Sequence, residues 1–184
     1  MKEEKIFTGT NASATWQQLK NDFKNETELL DYKALLQTGS RKIALNIDVD
    51  PGGGFESGYS STTFSAPLSA PQDLHLSLHK EGLLDEAGKW LGMQDVEIGF
   101  PEFDKKVIIK TNNEEKIKAA FSSPFVQSVF GEMEDYSLKI KHHKIDEREM
   151  PFLELVIENN VPDLEELQSI YEAFFQLLNS IDGE

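Results

Sequence analysis

One segment limits the fold more than any other. In "DLEELQSIYEAFFQLLNSI", residues 163–181, Leu164, Leu167, Tyr171, Phe174, Leu178 and Ile181 recur at helical spacing, and Ile170, Phe175 and Leu177 widen the stripe. Side chains three and four apart share a helix face, so the run predicts a long amphipathic helix whose apolar face is too wide to leave in water. Asp163, with Glu166 three residues later, supplies the polar start such a helix needs. Whatever else the chain forms has to cover that stripe.

The cover reads as sheet. In "KIALNIDV", Ile43, Leu45, Ile47 and Val49 alternate with Ala44, Asn46 and Asp48, the period-two pattern of a strand with one buried face. "SGYSSTTFSAPL" is rich in Thr, Tyr and Phe, and Pro67 and Pro71 mark where it must stop pairing or lie at an edge. "DLHLSLHKE" places Leu74, Leu76 and Leu78 on one face and His75, Ser77 and His79 on the other, and "GLLDEAGKWLG" reads as a short helix closed by Gly92. Further on, "DVEIG" and "KKVIIKT" read as strands, Asn112 with Glu115 starts a helix, and Ser123 with Pro124 restarts one. "YSLKIKHHKI" and "PFLELVIEN" then pair across a polar loop, "DEREM".

The predicted order is a single domain over 1–184: a helical segment at 11–38, strands and a short helix at 42–92, then strand-strand-helix at 95–133 and again at 136–182. Paired strands ahead of helices point to an α+β fold, a largely antiparallel sheet with helices packed on one face, in a helix-grip-like or duplicated strand-strand-helix arrangement.

Composition narrows the partners. The 184 residues hold 18 Lys and Arg against 33 Asp and Glu, a formal charge of −15, which repels nucleic acid and anionic lipid at long range. No nucleic-acid partner is expected, and a basic protein partner is the class the charge favours, although solubility alone also accounts for it. Cysteine is absent, which removes disulfides, thiol nucleophiles and thiolate metal sites. No window approaches the ~20 apolar residues of a membrane span, and "MKEEKIFTGTNASATWQQL" lacks the apolar core of a signal peptide, so the expectation is a cytoplasmic protein without membrane insertion.

The candidate chemistry is thin. Gly52, Gly53 and Gly54 form the strongest loop signal, yet a phosphate loop needs Lys and Ser or Thr directly after its glycines and then a helix, whereas Phe55 and Glu56 follow here and a strand comes next. A flexible hairpin loop that uses its glycines to reach positive φ is the better reading, with a mobile flap over a site as the alternative for Gly52, Gly53 and Gly54. His75 and His79 on one strand lie ~13 Å apart at ~3.3 Å per residue, too far to share a metal ion directly. No Gly-x-Ser-x-Gly elbow occurs, and with so many carboxylates no pair stands out as a general acid and base.

The most distinctive string is "GFPEFDKKVIIK", residues 99–110. Gly99 and Pro101 break one strand, Phe103 can bury its ring as the chain reverses, Asp104 can accept backbone N–H bonds in the turn, and Lys105 and Lys106 begin the next strand. The string resembles an uncharacterised family of bacterial domains with the pattern Gly-Asp-Pro-x-Phe-Asp-Lys/Arg-x-Phe-Val/Ile-Val/Ile. Gly99, Pro101, Phe103, Asp104, Lys105, Ile108 and Ile109 fit it, while Phe100 stands where the family has Asp and Val107 where it has Phe. "TTFSAPL" and "LHLSLHKEGLLDEAGKWLGMQDVEIG" are similar to the family's preceding steps, so the match runs over about 60–131. The resemblance implies a shared fold and a bacterial origin. It implies no activity, cofactor or catalytic residue.

The resulting expectation is a non-catalytic binding or protein-interaction module, with a small enzyme assembled from dispersed Asp, Glu and His residues as the alternative. No cofactor and no metal ligand is expected. Gly99, Pro101, Phe103, Asp104 and Lys105 are assigned a structural role.

Overall fold

The computed structural model describes residues 4–25, 30–53, 57–69, 73–80, 94–159 and 161–183. Its organising element is the helix α5 (Leu164–Asp182). Asp163 caps its start, its carboxylate accepting from the N–H groups of Glu165 and Glu166, both at 2.9 Å, and Gly183 ends it in the left-handed conformation at φ +76°. Leu167, Ile170, Tyr171, Ala173, Phe174, Leu177, Leu178 and Ile181 are all buried. Complete burial of side chains of this size is worth about 1.5–3 kcal/mol each, so this face sets where the rest of the chain must lie.

The strands are β1 (Lys5–Gly9), β2 (Asp31–Thr38), β3 (Arg41–Asp50), β4 (Tyr59–Pro67), β5 (Leu76–Lys80), β6 (Gln94–Asp95), β7 (Val107–Thr111), β8 (Tyr136–Ile145) and β9 (Arg148–Glu158). The other helices are α1 (Ala12–Phe23), α2 (Pro101–Asp104), α3 (Glu114–Ala120) and α4 (Pro124–Glu132). Among the described residues the strands form one nine-stranded sheet in the order β1-β2-β3-β4-β9-β8-β5-β7-β6. Every pairing is antiparallel except β1 with β2, where α1 carries the chain back so that the two strands run in the same direction. The fold is α+β, with the helices gathered on one face of a largely antiparallel sheet.

Aromatic rings mark the helix-covered face. Phe64 of β4 lies with its ring centroid 6.4 Å from that of Tyr171 and 6.0 Å from that of Phe174, while Trp16 of α1 stacks on Tyr171 at 5.4 Å. A second run of rings, Phe103, Phe121, Phe130 and Tyr136, proceeds in steps of 5.7, 5.9 and 5.9 Å beneath α3 and α4. Strand alternation then assigns the opposite face. Thr63 and Ser65 flank Phe64, and Glu154 and Val156 flank Leu155, which pairs with Phe64.

Several expectations need correction. The helical segment expected over 11–38 is helix only to Phe23. Residues 31–38 are strand β2, held between β1 and β3, with Tyr32, Ala34, Leu36 and Thr38 buried in strict alternation. Two flanking ladders outweigh the helix-forming Ala, Leu, Gln and Lys of that stretch. The edge strand β1 was not anticipated. The helix cap expected at Asn112 belongs to Asn113, whose side chain accepts from Lys116 N–H at 3.1 Å, while Asn112 binds His75 N–H and the Asp73 carbonyl instead. The polar loop expected at 146–150 is a two-residue turn at Asp146 and Glu147, with Arg148, Glu149 and Met150 already in β9. Lys105 and Lys106 close the α2 turn, and β7 starts at Val107. On β5, Ser77 and His79 are buried as fully as the leucines. The short helix expected at 82–92 lies outside the described residues.

Candidate functional site

The string at 99–106 becomes a single helical turn clamped at its start. Gly99 takes φ +88°, a conformation that disfavours other side chains, and the Asp104 carboxylate accepts from the N–H groups of Ile98 and Gly99, each at 3.0 Å. Pro101 begins the turn, where its missing N–H costs nothing. Phe103 is buried against Phe121 and against Gly131 of α4, where an added Cβ would stand 3.3 Å from the ring. Lys105 reaches Glu102 at 3.1 Å on the open surface, a contact of little energetic consequence.

Helix α4 is fixed from beneath. Val126 and Phe130 are buried, Gln127 donates to the Phe121 carbonyl at 2.7 Å, and the Tyr136 hydroxyl donates to the Phe130 carbonyl at 2.5 Å. Burial, with the Glu134 carboxylate adding to it, pushes the Tyr136 phenol far above its ordinary range, so it stays a donor. The end of α4 is held by Lys80 of β5, whose ammonium meets the carbonyls of Gly131 at 2.9 Å and Met133 at 2.8 Å and the carboxylate of Glu134 at 3.1 Å.

What α4 leaves outward is a ridge between two depressions. One, of about 360 Å³, lies against the turn and is lined by Phe100, Pro101, Phe103, Lys106, Gln127 and Gly131 among others. The second, of about 300 Å³, lies against α5 and is lined by Phe125, Val129, Met133, Glu166, Ser169 and Ile170. Ser128 and Glu132 line both. Phe100 and Phe125 are 38% and 37% exposed, and the carboxylates of Glu102, Glu132 and Glu166 stand beside them. The surface therefore joins apolar hollows to negative charge, with Lys106 as the one cation among the described residues of the lining. Sequence reasoning singled out Gly99, Pro101, Phe103, Asp104 and Lys105 but missed Phe100 and Phe125, because nothing local distinguishes an exposed phenylalanine from a buried one.

The glycine bend stands elsewhere. β3 and β4 close at the Asp50–Tyr59 pair, and Gly52, at φ +72°, donates its N–H to the Asp50 carboxylate at 2.9 Å. Gly53 follows, and Gly54 lies outside the described residues. A depression of about 260 Å³ at this end is lined by Val49, Asp50, Gly58, Tyr59, Ser60 and Asn159. Among the described residues none of the three depressions is lined by a histidine. Among the described residues no group of three or more His, Asp or Glu is placed to hold a metal ion.

On the face of the sheet that no described helix covers, one carboxylate is buried among the described residues. Glu154, 9% exposed, receives Lys141 on one oxygen at 2.7 Å and His143 on the other at 2.6 Å, and Lys139 pairs with it across the strands. His143 also sets its ring edge-on to Phe152, 5.0 Å between centroids. The cluster roots the hairpin formed by β8 and β9.

No protein-family model and no curated protein matches the chain. Among solved structures the chain is similar to the mycobacterial trehalose monomycolate transport factor A, TtfA, at 10% sequence identity and a TM-score of 0.48, over 89% of this chain and 83% of that one.

Proposed function

We propose that the protein is a non-catalytic protein-interaction module whose contact surface is the outer side of α4 with its two flanking depressions, and that its partner presents a basic amphipathic segment. The observation that carries the reading is the presence of exposed Phe100 and Phe125 with Glu102, Glu132 and Glu166 around two hollows that share Ser128 and Glu132 in their linings. Large apolar side chains beside a rim of one sign are the anatomy of a protein-binding surface. The −15 charge of the whole chain draws a cationic partner toward it before contact.

The test is a titration with a synthetic amphipathic helix carrying leucines on one side and lysines on the other, followed by amide chemical shifts. Binding is expected at residues 100–106 and 124–133, weakening as salt shortens the Debye length from about 30 Å to about 8 Å. The double variant Glu132→Lys, Glu166→Lys and the separate variant Phe125→Ser should each weaken it by about ten-fold or more. Affinity indifferent to salt and to both variants would sink the proposal.

A further inference from the structure

The two depressions beside α4 are separated by a single helix, and that sets the distance between them. Pro124, Ser128 and Glu132, spaced four apart and all exposed, form the outer row of α4. Gln127 and Gly131 fall to one side of that row and line the first depression, while Phe125, Val129 and Met133 fall to the other and line the second. A helix with its side chains is about 10–12 Å wide, so the hollows open roughly 10 Å apart across it. Val126 and Phe130, buried beneath, anchor the ridge to the core.

Charge alternates with the hollows. Glu102 belongs to the turn that walls the first, Glu132 to the ridge, and Glu166 to α5 at the wall of the second. Glu132 is the last residue of α4, where the helix dipole disfavours a carboxylate, and the last turn holds no basic residue to offset it. Lys80 meets the nearby carbonyls of Gly131 and Met133 and the carboxylate of Glu134. The Ser128 hydroxyl donates to Glu132 Oε1 at 3.0 Å, which keeps that carboxylate over the ridge. Ser128 is itself small, so another helix can pass over α4 at close range.

A straight helix reaches two points about 10 Å apart with side chains seven residues apart, which rise about 10.5 Å and return to nearly the same face. Side chains four apart rise only about 6 Å and cannot enter both hollows. We infer that this surface selects a helix that crosses α4, with large apolar side chains at i and i+7, one in each hollow, and an arginine or lysine at i+3 or i+4 meeting Glu132. The inference rests on the α4 surface being the contact surface, and adds the spacing and the central cation that its partner must present.

The experiment uses the full chain, isotopically labelled, titrated with two capped fourteen-residue helical peptides of identical composition on an alanine-lysine background. One carries leucine at its fourth and eleventh positions and arginine at the eighth; the other exchanges the residues at the eighth and eleventh. Expected are binding tighter for the first peptide by about ten-fold or more and, with it, amide shifts at 100–106 and at 166–170 that titrate with one dissociation constant. Glu132→Gln, an exposed change that leaves the core intact, should remove most of that preference by weakening the first peptide and not the second. Equal binding of the two peptides, shifts on one side of α4 only, or a preference unchanged in Glu132→Gln overturns the inference while leaving α4 as the contact surface. Binding of neither peptide overturns both.

Discussion

Arg41, at the start of β3, and Asp182, in the last turn of α5, form a buried ion pair that ties the sheet to the end of the chain. Ser69 gives its backbone N–H and its hydroxyl to the same carboxylate, and Asn179 accepts from the Arg41 Nε at 3.1 Å. Burial works against the Asp182 charge, but the hydrogen bonds from Ser69 and Arg41 and the guanidinium charge outweigh it and hold the carboxyl below its ordinary value. A carboxyl lowered in the folded state contributes stability above the unfolded pKa of about 3.9, and that contribution is lost as pH falls through the folded value. Asp182→Asn should cost about 3 kcal/mol at neutral pH, since it leaves a buried guanidinium short of its partner. In urea titrations the gap between wild type and variant should narrow below pH ~4, where the native carboxyl protonates too. A gap of constant size at every pH would refute this account.

Lys80 supports the proposed contact surface without being part of it. Its side chain is only 15% exposed, and its ammonium satisfies two carbonyls at the C-terminal end of α4, where a cation also complements the helix dipole. Lys80→Met keeps the length of the side chain and removes the donors. The expected cost is about 2 kcal/mol in chemical unfolding, with amide exchange in 129–133 accelerating before that of α5. Retained protection there would mean that Tyr136 and the core side chains hold α4 alone.

How much of this was readable beforehand depends on where the determining contacts lie. α5, β3 and the start of α1 at Asn11 were legible because their periodicity and caps are local to the segment. β2 was not, since "DYKALLQT" has the composition of a helix and becomes a strand through ladders to β1 and β3 on either side. β1 offers only five residues with Ile6 63% exposed at the sheet edge, so no buried face showed in its pattern. The string at 99–105 drew notice for its Gly, Pro and Asp, yet the surface it helps to form depends on α4 arriving beside it from 20 residues downstream. The pairing of β8 with β9 was legible, but its turn was spread over 146–150 because Asp146 and Glu147 lack the glycine that usually marks a two-residue turn.

Gly9 tests the corner where β1 turns into α1. A Cβ there would lie 2.5 Å from the Thr15 backbone nitrogen and 2.6 Å from its hydroxyl oxygen, contacts that require the backbone to move. The Thr15 hydroxyl lies 2.6 Å from that of Thr38, which in turn lies 3.3 Å from the Tyr171 phenol, so displacement would reach the centre of the core. Burial raises the Tyr171 pKa and keeps the phenol neutral within that chain. Gly9→Ala should destabilise by about 2–3 kcal/mol and lower the midpoint of thermal unfolding. A neutral outcome would show that the edge strand gives way freely.

Glu147 offers the opposite kind of change. Asp146 at φ +45° and Glu147 at φ +66° both sit in the left-handed region, as the tight turn between β8 and β9 demands. Left-handed backbone costs a residue with a Cβ about 1 kcal/mol, whereas glycine adopts it without that penalty but loses more entropy on folding. Glu147→Gly should therefore gain roughly 0.5 kcal/mol in the arm, the end of the β8–β9 hairpin from His143 to Met150, and leave the core unchanged. Because His143 to Met150 pair only with each other, the gain should appear as slower amide exchange in that stretch, with little change in the global unfolding midpoint. Glu147→Val, a β-branched residue forced into the same conformation, should speed exchange over the same amides. If both substitutions left the arm's exchange untouched, the turn would not be what holds the two strands together.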